Sequence, residues 1–190
     1  MHADISICVG NMADIVHLDE FKKQRRLQAG WMVWRRHFPE KLNIDTRLED
    51  LEPETLMRLA EPGDASTALL NGLIIALLGF DRNHAFEDLE QPNQTEVLDI
   101  YLFISDQIRF EIMLRLGWLE EYGGGRHSLF EMATAFEAVK AACLCRPPRL
   151  AHTHPRFGEY QALFERDQQV FIRRLVPMAL DLYRNSFAGR

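Results

Sequence analysis

The sequence predicts an all-α fold: one helical bundle of about five to seven helices around a central apolar helix at about 94–121. Three observations predict it. Apolar residues recur at three- and four-residue spacings, caps and Pro or Gly breakers punctuate those stretches, and no segment alternates as a strand would. At 190 residues, 47% hydrophobic and 26% charged, the chain has globular proportions. It is long enough to bury a core without disulfides or a metal.

Taken in order, residues 1–16 read as a flexible N-terminal extension and 17–190 as a single helical domain. Asp19 is the expected N-cap of a helix to about Phe38, stopped by Pro39. Its apolar stripe is Leu27, Trp31, Trp34 and Phe38, with Lys22, Arg25, Arg26 and Arg36 on the other side. Pro53 suits the first turn of a short helix that ends before Pro62-Gly63. Asp64 caps the next helix, which runs to Leu78 or Phe80 and is apolar nearly all round. A helical turn is expected near His84–Leu89.

Asn93 followed by Glu96 is a capping-box variant that opens the central helix, and Gly123-Gly124-Gly125 is its expected stop. Ser128 with Glu131 opens a helix to about Leu144, ended by Pro147-Pro148. The last helical pattern spans about 156–187, and Pro177 should kink or split it near Arg173–Val176.

Charge is uneven along the chain. The net charge is −6, all of it in residues 1–95. Whole-chain acidity weighs against nucleic acid as the partner. Three cysteines, Cys8, Cys143 and Cys145, form no disulfide framework, and reduced thiols point to a cytoplasmic protein. No signal peptide and no membrane-spanning run are evident.

Four places carry residue types capable of chemistry. Asp99 and Asp106 lie seven residues apart, about two turns, on one face of the central helix with Leu102, Phe103, Phe110 and Met113. Carboxylates among apolar groups need a metal, a catalytic use or an ion-pair partner. Glu96 or Glu111 are candidate helpers, and Arg109 is the expected ion-pair partner of Asp106. No Glu-x-x-His occurs, so a di-iron bundle site is disfavoured.

Cys143, Cys145, His152 and His154 add up chemically to a tetrahedral zinc set, although their spacing departs from the usual knuckles. Lys22, Arg25, Arg26 and Arg36, interleaved with Trp31 and Trp34, could follow an anionic polymer or lipid surface. They could equally pair with the chain's own acidic stretches at 40–64 and 81–99. The glycine-rich run 123–128 enters a helix but lacks a preceding strand and a Gly-Lys-Ser/Thr, so it reads as a connection.

No nucleophile elbow is present. The leading expectation is a protein-interaction or regulatory module with no cofactor, which shares excess apolar helix surface with a partner or a second copy. Two alternatives stand beside it. One is a metal-dependent or ligand-binding enzyme using Asp99 and Asp106 or the Cys/His cluster. The other is an anionic-surface binder using helix 19–38.

Overall fold

The computed structural model describes residues 12–38, 43–80 and 85–187. Among them the chain forms α1 (Met12–His37), α2 (Pro53–Ala60), α3 (Asp64–Leu78) and α4 (Gln91–Arg115). There follow β1 (Leu119–Glu121), α5 (Leu129–Thr134), α6 (Phe136–Leu144), β2 (Arg149–Leu150), α7 (Phe157–Gln161) and α8 (Glu165–Phe187). Single 3-10 turns stand at Leu48–Asp50 and Phe86–Asp88. The chain is an all-α helical domain with one small two-stranded ladder.

α4 is central because its apolar ridge admits no solvent. Val97, Ile100, Ile104, Ile108 and Ile112, spaced three or four residues apart, are each at most 1% exposed. α2, α3, α5 and α8 pack around that ridge. α8 runs parallel to α4, since Asp106 meets Arg173 and, further along both helices, Arg115 meets Tyr183.

α1 lies antiparallel on α3. Arg26 crosses Gly79 just past the end of α3, Gly30 faces Leu77, and Gly72 faces Val33. A Cβ at Gly30 would stand 2.5 Å from the Leu77 side chain, so only glycine allows the two helices this approach. Trp34 and Phe38 are buried, Leu27 and Trp31 are half-buried, and Trp31 packs on the Phe130 ring.

Several boundaries differ from the sequence expectation. α1 begins at Met12, so Asp19 is an interior residue and not a cap, and helix enters the region expected to be a flexible extension at 1–16. No Gly or Pro lies between Met12 and Asp19 to stop it. Residues 1–11, including His2 and Cys8, lie outside the described residues.

α4 begins at Gln91, with Pro92 in its first turn, rather than at the Asn93 box. It ends at Arg115, six residues before the expected end at Glu121. Gly117 takes φ +71, and Trp118 and Gly117 donate back to the Met113 and Leu114 carbonyls, which is a Schellman end. The released residues 119–121 pair antiparallel with Arg149–Leu150, a ladder too short to show alternation.

Ser128 does cap α5, accepting from the Glu131 N–H at 3.1 Å. The expected helix 128–144 breaks at Ala135 (φ −123, ψ 36) into α5 and α6. The last helix breaks at 162–164 instead of near Pro177, which α8 passes through. Pro177 and Arg173 both face solvent, so the Arg173 carbonyl that loses its helical donor can bond water.

Candidate functional site

The most polar buried place in the molecule lies on the last two turns of α4. Glu111 is 2% exposed and stands one turn before Arg115. Arg115 Nε donates to Glu111 Oε1 at 2.7 Å, and Tyr122 donates its hydroxyl to Glu111 Oε2 at 2.5 Å. The two Nη groups of Arg115 donate to the carbonyls of Leu51, Leu48 and Glu49 at 2.7, 3.0 and 2.9 Å. Tyr183 is a further partner of the same guanidinium. Four of the five donors of the planar fork are thus directed at oxygens.

Burial first, and then the Glu111 charge, hold the Tyr122 hydroxyl far above its ordinary pKa, so it remains a donor. The loop 123–128 closes over this knot. Glu49 N–H donates to the Gly125 carbonyl and Leu48 N–H to the His127 carbonyl, both at 3.1 Å. A Cβ on Gly125 would stand 3.1 Å from Tyr122 Oη, and one on Gly124 would stand 2.3 Å from the Gln107 side-chain oxygen. The glycine run is therefore a fitted cover over α4 and not a slack connection. A carboxylate beside a phenol could move protons, but this pair is sealed and fully bonded, and it holds loops together.

Asp99 and Asp106 are not brought into one site. Asp106 is partly buried and accepts from Arg173 Nε at 2.9 Å, with Arg109 at 3.9 Å on its other oxygen. The arginine from α8 holds it more closely than the neighbour on its own helix. Asp99 is exposed, and Leu98 and Leu102 on the same face are 45% and 52% exposed, so that outer face is not an apolar interior.

Nor do the four candidate zinc ligands converge. Cys143 is buried against Gly123, and burial, followed by Glu131, pushes its thiol up to about 11. Cys145 is an exposed free thiol at the end of α6. His152 is exposed and bonds Glu120 at 2.8 Å through Nδ1, which holds the Glu120 carboxyl below its usual range. His154 is buried edge-on to Trp118, and its Nδ1 accepts the Arg156 N–H at 3.2 Å. Burial, then the Arg156 charge, lowers the pKa of that imidazole. Among the described residues no three His, Cys, Asp or Glu side chains stand close enough to share a metal.

Lys22, Arg25, Arg26 and Arg36 are exposed on α1. Among the described residues none of them lies in ion-pair contact with a carboxylate, including those of the acidic stretches. Arg26 marks a structural boundary, because its side chain crosses Gly79 at the C-terminal end of α3, where the unpaired carbonyls favour a cation. Every described side chain from Leu18 to Arg26 is exposed. The first 14 residues of α1 therefore form an arm that extends about 21 Å past the end of α3. Leu18 and Phe21 on that arm are 53% and 57% exposed.

Beside the root of the arm is an open trough of about 590 Å³. Its floor is apolar, formed by Ile100 of α4, Ala133 of α5 and Leu78 of α3, with Phe136 at the wall. Its exposed rim carries Glu96, Asp99 and Glu137, and among the described residues no lysine or arginine lines it. Asp99 belongs to this trough. A second cavity of about 410 Å³ carries Arg156, Glu159 and Arg174, with Arg156 committed to Glu159 and to the Phe171 ring.

The sequence shows the buried Glu111–Arg115 pair as an i,i+4 acid–base spacing inside an apolar run, a signal available but not used. Its third member, Tyr122, comes from beyond the helix and has no local signature. The chain matches no family model, no curated protein and no solved structure.

No described helix is long and apolar enough to cross a membrane.

Proposed function

We propose that this chain is a helical protein-interaction module that works through the projecting arm of α1. One observation carries the reading. The arm presents Leu18 and Phe21 to solvent on a stretch whose described side chains are all exposed, while the same helix buries Trp34 and Phe38 on its other face further along. Covering a leucine or phenylalanine is worth about 1.5–3 kcal/mol each, and an arm built this way has that energy available for a partner.

α8 repeats the arrangement more weakly. Val170, Met178 and Leu182 are 45–52% exposed on a helix that also buries the ridge of Ile172, Leu175 and Ala179. Free Cys143 and Cys145 suit work in the reducing cytoplasm.

The test is a photo-crosslinking residue placed at Phe21 in living cells, with the exposed position Glu54 as control. Discrete adducts are expected at 21 and a diffuse background at 54. Equal backgrounds at the two positions would remove the reading.

A further inference from the structure

The arm and the trough are complementary, and the root of the arm at Arg26 lies over Gly79, one residue past the trough-lining Leu78. The arm is apolar at Leu18 and Phe21 and basic toward its root at Lys22, Lys23, Arg25 and Arg26, with three acids, Asp14, Asp19 and Glu20, before them. The trough is apolar at its floor and acidic at its rim through Glu96, Asp99 and Glu137. Lys140 stands over the Phe136 ring at 4.8 Å but does not line the trough.

An arm cannot lie in the trough of its own chain. α1 is one uninterrupted helix whose side chains from 18 to 26 all face solvent, and it leaves the body at Arg26, over Gly79, one residue past the trough-lining Leu78. A second copy has no such constraint. We infer that two copies of this chain exchange arms, each laying Leu18 and Phe21 in the other's trough with its lysines and arginines against the acidic rim.

A two-fold axis closes this arrangement, because the donor and the acceptor surfaces are side by side on each copy. It also doubles the contact. One four-turn arm is small against the about 1,200–2,000 Å² buried in a standard interface, whereas two arms in two troughs approach it. The opposed charges fix the register of each arm and speed encounter, and the apolar pair supplies the hold.

This inference rests on the interaction reading above, and a charge exchange tests it separately. Full-length protein is examined by sedimentation equilibrium as wild type, as Lys22→Glu with Arg25→Glu, and as Glu96→Lys with Asp99→Lys. All four side-chain changes lie at exposed positions, so each chain should keep the wild-type helical signal and melting curve. Wild type is expected to be a dimer, and each variant is expected to dissociate about tenfold more readily or worse.

An equimolar mixture of the two variants carries reversed but complementary charges on one arm and one trough. It should recover a heterodimer that neither variant forms alone. In the purified wild type, the crosslinker at position 21 should join residues 133–138 of a second copy.

A monomeric wild type, or a dimer indifferent to both variants, or a mixture that fails to associate would overturn the exchange. If cellular adducts at position 21 go to a different protein, the exchange falls and the interaction reading stands. If no adduct forms anywhere, both fall.

Discussion

Two carboxylates on α4, Asp99 and Glu111, stand 12 residues apart under opposite conditions. Glu111 is 2% exposed, and its oxygens are taken by Arg115 and Tyr122. Asp99 faces water at the rim of a trough, with no ion pair to it among the described residues. Asp106 lies between them in position and in environment, partly buried and paired with Arg173. The same residue chemistry along one helix thus passes from available to committed as the fold closes around it. An acid that the fold has saturated serves the fold, and an acid left at a rim is free to meet something else.

The sharpest way to break this contrast is to remove the cation from the buried end. Arg115→Ala deletes the partner of Glu111 and the donors to Leu48, Glu49 and Leu51 in one step. A buried charge left unpaired costs about 3–5 kcal/mol, a large share of what a domain has. Urea unfolding should show that loss as a lower midpoint at nearly unchanged slope. A companion change, Glu111→Gln, keeps the shape and leaves no uncompensated carboxylate, so it should cost less than Arg115→Ala. A midpoint unmoved by Arg115→Ala would mean that the knot does not hold the 47–51 segment in place.

The middle of the series should respond in the middle. Asp106 and Arg173 form a pair whose side chains are 25% and 52% exposed. A pair this wet is worth about 0.2–1 kcal/mol, and Asp106→Asn should lower stability by that amount at low salt. The difference between wild type and variant should shrink as salt rises, because exposed charges are screened within about 10 Å at 0.1 M. A loss as large as that of Arg115→Ala would show Asp106 to be structurally committed after all, and would flatten the gradient along the helix.

Much of this gradient could be read from residue order, and the part that could not has a physical reason. The apolar central helix, the Pro53 start and the Ser128 cap are local patterns, and each stands where its residues indicate, whereas Asp64, expected as a cap, is the first residue of α3 and Gly63 holds the cap position without a side chain to bond. Helix ends failed wherever two signals competed. The run 123–125 is the expected stop for α4, and Gly117, which comes earlier and takes positive φ, ends it instead. Pro177 is a breaker by composition, yet it sits on the wet side of α8, where a lost backbone bond can be replaced by water.

The sites were harder still. Asp106 was matched to Arg109 by helical spacing, while its closer partner, Arg173, arrives from another helix. The trough draws on α3, α4, α5 and α6 at once, and the arm is recognisable only after α3 is seen to end beside Arg26. Properties built from several distant segments leave no mark in any one of them.

The smallest effect on folding is expected at the exposed end, and there the measurement that moves should be a different one. Asp99→Asn removes a charge that has no ion pair among the described residues, so unfolding should stay within about 0.5 kcal/mol of wild type. If Asp99 meets a basic arm from a second copy, the same change should weaken the dimer by about two- to fivefold, the worth of one exposed ion pair. That weakening should itself fade in high salt, since screening removes the attraction from the wild type as well. A variant equal to wild type in both folding and association at low salt would mean that Asp99 is merely a solvated side chain. The free end of the series would then hold an acid with no task, and the contrast with Glu111 would reduce to burial alone.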